Sequence, residues 1–179
     1  GFADLTHAFT LFASSKKKSN PEKRGRFNLG EKLILACCTS ARISTTTGTV
    51  EWDSSGRTHS KIKRDSGSLF QGYILMSKHE YEDMLNGIHE VIVPKDVQLI
   101  LNGVEIKKRE PVITFSARLP TEISDETGYL RPTVRTTNIS LYKPIGTEKA
   151  SIYEMGLPVV ETGDKYHVDI SQKVPLNMD

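Results

Sequence analysis

Six cations, Lys16, Lys17, Lys18, Lys23, Arg24 and Arg26, fall within residues 16–26 and run into Gly25 and Gly30, just ahead of an apolar stretch. Residues of these types at this spacing suit the holding of phosphate, and three arrangements place different demands on them. A P-loop needs G-x-x-x-x-G-K-[ST]. Gly25 and Gly30 have that separation, but Glu31, Lys32 and Leu33 follow, so the lysine comes one place late and no hydroxyl is present for magnesium. The P-loop is excluded. A nucleic-acid patch needs only the cations, which attract a phosphate backbone by releasing counterions, although most such runs are solvated loops. The third arrangement uses the glycines mechanically. Gly25 and Gly30 permit left-handed or closely approached backbone, and a helix starting at Gly30 offers unpaired N–H groups and a positive dipole end to an anion. Gly25, Arg26, Phe27, Asn28, Leu29 and Gly30 would then wrap a polyphosphate with backbone amides, beneath a lid formed by the upstream lysines.

Other chemistry-bearing residues do not converge. His7, His59, His79, His89 and His167 are scattered, and no pair has metal-ligand spacing with a third partner. Glu122, Asp125 and Glu126 sit at an expected turn, and Glu154 and Glu161 read as strand ends. No Ser or Cys has a nucleophile-elbow context. Cys37 and Cys38 are adjacent inside an apolar run, which favours buried thiols over a disulfide or a zinc site and implies a reducing cytoplasm.

The stretch Gly25-Arg26-Phe27-Asn28-Leu29-Gly30 resembles the second glycine box of the GHKL ATPase superfamily, which includes gyrase, MutL, the large heat-shock chaperone ATPases, histidine kinases and the MORC proteins. The chaperone and MORC versions run Gly-x-Phe/Tyr-Gly-x-Gly; here Asn28 replaces the middle glycine, and Asn tolerates left-handed backbone. Phe12-Ala13-Ser14-Ser15-Lys16 is similar to the lid segment of MORC-type members, which would put Ser15 and Lys16 in the lid. Gly1-Phe2 resembles the close of the first glycine box, and Gly67-Ser68-Leu69-Phe70 sits where the family has a Gly-Thr strand. Gln172-Lys173 is similar to the Gln-x-Lys loop of gyrase-type transducer domains, one residue shorter. Pro175-Leu176-Asn177-Met178 resembles the Pro-Leu-Asn segment of the chaperone middle domain. The resemblance implies Mg-ATP as ligand, Lys173 as a candidate sensor of the terminal phosphate, and a homodimer acting on DNA or a client protein. It also implies that the magnesium-holding helix, the adenine-reading Asp and the acidic general base precede Gly1. On that expectation the chain is a piece of a longer ATPase, inactive by itself. The rival expectation is an α+β module that grips nucleic acid through residues 16–26 without ATP.

The elements that must position these residues are legible in the pattern. Leu5, Ala8, Phe9 and Phe12 recur at helical spacing over residues 3–13, and a second helix is expected from about Gly30. Arg42–Thr47 and Thr49–Asp53 form a hairpin about Gly48; residues 57–66 are open between strand and loop, and Gly67–Met76 alternates as a strand. Ser77 and Glu80 make a capping box for a helix over 78–90. Asn102-Gly103 between Val97–Leu101 and Val104–Ile106 is a strong hairpin signal. Strands follow at 112–118, 133–142, 150–155 and 165–171. The predicted class is α+β. A partial Bergerat-type layer of helix on antiparallel sheet spans residues 1–109, and a strand-rich, transducer-like domain spans 110–179.

Composition bounds the rest. At 37% apolar and 26% charged residues the chain can build a core. A net charge of +2 leaves no global polyanion footprint, so any phosphate site must come from local clustering. No apolar run approaches the ~18 residues of a membrane-spanning helix.

Overall fold

A computed structural model describes residues 4–10, 21–22, 30–124 and 129–175. The chain divides into two compact units, one of Gly1–Ser15 with Gly25–Glu80 and the other of Lys16–Arg24 with Tyr81–Asp179. The class is α+β, as predicted.

In the first unit a single 3₁₀ turn, Leu5–Ala8, stands where the periodicity suggested a longer helix. Asp4 caps it through an Oδ1 bond from the Thr6 amide (2.8 Å). Helix α1, Gly30–Cys37, starts at the second glycine. It leads into β1 (Ser40–Thr45), β2 (Thr49–Asp53), β3 (Gly56–Ser60) and β4 (Ser68–Tyr73), an antiparallel sheet in the order β3-β2-β1-β4. Register explains which face is buried. Ala41 pairs with Trp52 and Gly72, and Ile43 with Val50 and Phe70, so these six share one face. Ala41, Ile43 and Val50 are buried there. Phe9 packs edge-on against Trp52 and His59 at 6.3 and 5.7 Å. The Arg57 guanidinium lies 3.8 Å from the Phe9 ring centroid, a cation–π contact. The opposite face carries Arg42, Glu51, Thr58 and Gln71, a polar set suited to water.

Helix α2, Lys78–Glu90, carries the division between the units in its first turn. Its capping box forms as expected: the Ser77 amide donates to Glu80 Oε2 (2.7 Å) and the Glu80 amide to Ser77 Oγ (3.3 Å). In the second unit, β5 (Ile100–Leu101) and β6 (Val104–Glu105) flank Asn102-Gly103, both at positive φ (50° and 81°) as a primed turn requires. Then β7 (Ile113–Ser124), β8 (Leu130–Tyr142), β9 (Ser151–Glu154), β10 (Leu157–Glu161) and β11 (His167–Ile170) form a sheet in the order β10-β9-β11-β8-β7. Only the β9–β11 pairing is parallel.

Two differences from the sequence reading stand out. The units part at Glu80/Tyr81, not near residue 109, because residues after α2 fold onto the second sheet. Ile92 joins Tyr142 and Tyr153 in its core, and the Ile92 amide donates to the Gly156 carbonyl (2.9 Å). The strand expected over 150–155 ends at Glu154, and Met155-Gly156 turns into β10 at φ 50° and 82°.

Candidate functional site

Of the glycine stretch, Gly30 is described; Ser15, Lys16, Gly25, Arg26, Phe27, Asn28 and Leu29 lie outside the described residues. Gly30 opens α1 and is exposed. Its backbone is not left-handed, and a Cβ built on it meets nothing within 4 Å. Of the two backbone roles expected for Gly30, left-handed conformation is therefore excluded. Among the described residues neither conformation nor packing requires glycine there, and a glycine in a helix costs up to about 1 kcal/mol relative to alanine.

Two residues later on α1, Lys32 is 7% exposed while Leu33 and Ile34 are 62% and 49% exposed. The helix thus turns its cation inward and its apolar side chains outward, the reverse of an ordinary surface helix. In sequence Lys32 is only a lysine misplaced for a P-loop, and nothing in the pattern signals its burial.

Lys173 follows β11 and is fully buried, so it is not a solvated strand-end lysine. Its surroundings are built from three parts of the second unit. The Lys173 amide donates to the Pro21 carbonyl (2.9 Å), within the basic loop. The Lys173 carbonyl accepts from Thr121 Oγ1 (2.7 Å), on β7. On either side, Gln172 Nε2 donates to the Leu119 and Pro120 carbonyls (3.3 Å each), and the Val174 amide donates to Glu154 Oε2 (2.8 Å). Gln172, Lys173 and Thr121 are all at most 1% exposed. Buried polar groups of this kind persist only when satisfied, because each unmade bond costs about 1–3 kcal/mol. Two of the segments that the sequence marked, the basic loop and Gln172-Lys173, therefore meet at Pro21.

A second polar cluster escaped the sequence reading. Glu148 takes a bidentate pair from Arg109, with Nη1 on Oε2 at 2.7 Å and Nη2 on Oε1 at 2.5 Å. Its Oε2 also accepts from the Ile145 amide (2.8 Å) and faces His167 Nε2 at 3.1 Å. The Ser151 amide donates to His167 Nδ1 (3.2 Å), which leaves the ring proton on Nε2 for Glu148. Burial pushes the Glu148 carboxyl up, but the bonds from Arg109, Ile145 and His167 together outweigh it and hold the pKa at about 2. The same pairing raises the Arg109 pKa, against the opposing effect of burial. A cavity of about 140 Å³ opens beside Glu148, Tyr153 and His167. With both carboxylate oxygens occupied, Glu148 has little capacity left to move a proton, so the cluster is a clamp. It ties the chain entering β7 to the β8–β9 connection and to β11. Partners 39 and 19 residues apart leave no spacing signal to find.

Cys37 is exposed and Cys38 half-buried, both as free thiols, which corrects the expectation of buried thiols. They fall at the C-terminal end of α1, whose outer side faces solvent. Among the described residues no group of His, Cys, Asp and Glu could hold a metal ion, and no helix is long and apolar enough to cross a membrane. Comparison with models of protein families, with curated proteins and with solved structures finds no match to this chain.

Proposed function

We propose that this chain is part of a GHKL-type ATP-binding protein of the cytoplasm and carries the lid and the phosphate-binding glycine stretch of its nucleotide site. The observation that carries the proposal is Gly30. It is a glycine that no described residue requires, at the first position of a helix that runs directly into an antiparallel sheet. A bare backbone with open space at a helix start fits the approach of a phosphate group, which the amides and the dipole would favour. The bond from the Lys173 amide to the Pro21 carbonyl (2.9 Å) adds support, since it joins the loop assigned to the lid to the residue assigned to sensing the terminal phosphate.

In this reading Ser15 and Lys16 belong to the lid, and the Gly25–Gly30 amides hold the phosphates. Bound Mg-ATP supplies the hydrolysable phosphate bond. No described residue of this chain is assigned to Mg²⁺, and the adenine contacts and general base belong to motifs that these 179 residues do not contain. The cycle would act as a conformational switch, with homodimerisation and work on DNA or a client protein as its output.

The test is Mg-ATP affinity of the intact protein by titration calorimetry, with and without Gly30→Val. A Cβ at Gly30 meets no described atom within 4 Å, so abolished binding with an unchanged melting temperature would trace to the phosphate contact. Unchanged affinity would refute the proposal. Nucleic-acid binding that is steeply salt-dependent and indifferent to ATP would favour the rival module instead.

A further inference from the structure

We propose that β3 and the segment continuing it, residues 57–64 of the first unit, form a docking surface for the phosphate backbone of duplex nucleic acid. The surface uses none of residues 16–26 and does not depend on the nucleotide reading.

Residues 57–64 read Arg-Thr-His-Ser-Lys-Ile-Lys-Arg, four cations and a histidine with no acid among them. Most charge runs are mobile and solvated, but the backbone of this one is pinned. β3 pairs along its whole length with β2, from Asp53↔Gly56 to Thr49↔Ser60. Beyond the strand, the Ile62 carbonyl accepts from Thr49 Oγ1 (2.8 Å) and the Arg64 amide donates to the Thr45 carbonyl (2.9 Å). Thr45 and Thr49 are buried, so the run is fastened to the sheet at two points past its strand. Lys61 and Lys63 alternate with those anchors and are exposed. Arg57 is ordered too: the Phe9 ring under its guanidinium holds the side chain without using its N–H groups. Cations fixed in place before a ligand arrives lose less entropy on binding it.

The charge is also uncompensated. The ion pairs among the described residues join Arg42 to Glu51, Arg109 and His167 to Glu148, and Lys149 to Glu161, and none engages Arg57, Lys61, Lys63 or Arg64. The acids that flank the run are Asp53, whose carboxylate is taken up by the Ser55 amide and hydroxyl, and Asp65. Cations on an edge strand can serve simply to repel other strands. Yet β4, the other edge of this sheet, carries no charge from Ser68 to Tyr73, so edge protection does not account for four cations gathered on one side. Single-stranded nucleic acid would want open aromatic faces for its bases. The aromatic rings at this edge, Phe9 and Trp52, are packed edge-on against each other, with Arg57 over Phe9. A duplex presents phosphates, which lysine and arginine hold without reading sequence.

Fluorescence anisotropy of a labelled, mixed-sequence DNA duplex titrated with the chain at a series of salt concentrations tests this. Lys61→Ala/Lys63→Ala is expected to weaken binding about tenfold at low salt and to reduce the salt slope by about 2, one for each lost phosphate contact. Lys95→Ala/Lys165→Ala removes the same charge from exposed lysines of the second unit and should stay within about twofold of wild type. Absence of binding by the wild type would overturn the inference, as would equal losses in the two double variants or tighter binding to phosphatidylserine vesicles than to the duplex. Duplex binding that survives in Lys61→Ala/Lys63→Ala would overturn it as well. Mg-ATP affinity of the intact protein should be the same in both double variants, so failure here leaves the nucleotide reading standing. Should Lys61→Ala/Lys63→Ala fail to fold, acetylation of the unmutated chain decides. The duplex is expected to slow acetylation of Lys61 and Lys63 and not of Lys95 and Lys165; uniform protection, or none, would overturn the proposal.

Discussion

Replacing Glu148 by glutamine tests the clamp that joins the start of β7 to the β8–β9 connection and β11. The substitution keeps the shape and removes the charge that Arg109 and His167 face. Glu148 falls from an ordinary pKa of 4.5 to about 2 in the folded chain, which at 1.36 kcal/mol per unit would be worth about 3 kcal/mol. With the carboxylate side chain 23% exposed, solvent screening brings this to about 2 kcal/mol. Because the folded pKa is depressed, the contribution is complete above about pH 5 and is lost as pH falls toward 2. Wild type and Glu148→Gln should therefore differ by about 2 kcal/mol at pH 7 and converge in acid. Urea unfolding at a series of pH values measures this. The probe should be near-ultraviolet circular dichroism of tyrosine, since Tyr142 and Tyr153 lie in the core of the second unit while Trp52, the single tryptophan, belongs to the first. A stability gap that stays constant from pH 7 to pH 3, or no gap at pH 7, would refute the assignment of Glu148 as an ionised clamp.

Two further substitutions probe the backbone. Met155 sits at φ 50°, a conformation that costs a non-glycine residue about 1 kcal/mol and that asparagine tolerates better. Met155→Asn should raise stability by about 0.5–1 kcal/mol, read as an increased melting temperature; a decrease would show that the thioether packing outweighs the strain. At Gly72 a Cβ would come within 2.7 Å of Cys38 Sγ and 3.2 Å of the Phe70 ring. Gly72→Ala should cost about 1–3 kcal/mol in urea unfolding followed by Trp52 fluorescence, with Cys38→Ala recovering part of the loss. Full stability of the single variant would count against close packing of β4 on the end of α1.

Elements governed by near neighbours were legible before the fold was known. Asn102-Gly103 prefers left-handed backbone wherever it occurs, and Ser77 with Glu80 closes its capping box within one turn. The helix start at Gly30 and the β1–β2 hairpin follow from the same short-range terms. The Met155-Gly156 hairpin was not legible, because methionine carries no preference for positive φ. That turn is imposed by bonds from outside it: the Met155 amide to the Ile170 carbonyl (2.9 Å) and the Gly156 amide to Asp169 Oδ1 (2.7 Å). The division at Glu80/Tyr81 was hidden for a related reason. It depends on where Ile92 and Arg109 find partners, and those lie in β8, β9 and the connection between them.

The candidate site divides in the same way. Residue types and spacing alone marked the basic loop and the glycines before α1, because charge and backbone freedom are properties of the residues themselves, whereas Gln172-Lys173 was marked by its resemblance to the Gln-x-Lys loop of gyrase-type transducer domains. Burial is not such a property. Lys173 and Lys32 are chemically the same side chain as the solvated lysines around them, and only the packed chain takes them out of water. The Arg109–Glu148–His167 clamp and the bonds of Lys173 to Thr121 and Pro21 exist because the fold of the second unit brings distant segments within hydrogen-bond reach. Which groups are available, and which local turns and caps they form, follows from the residues and their near neighbours. Tertiary structure decided which of those groups lose water and must find partners, because desolvation is set by the whole fold and not by neighbours along the chain.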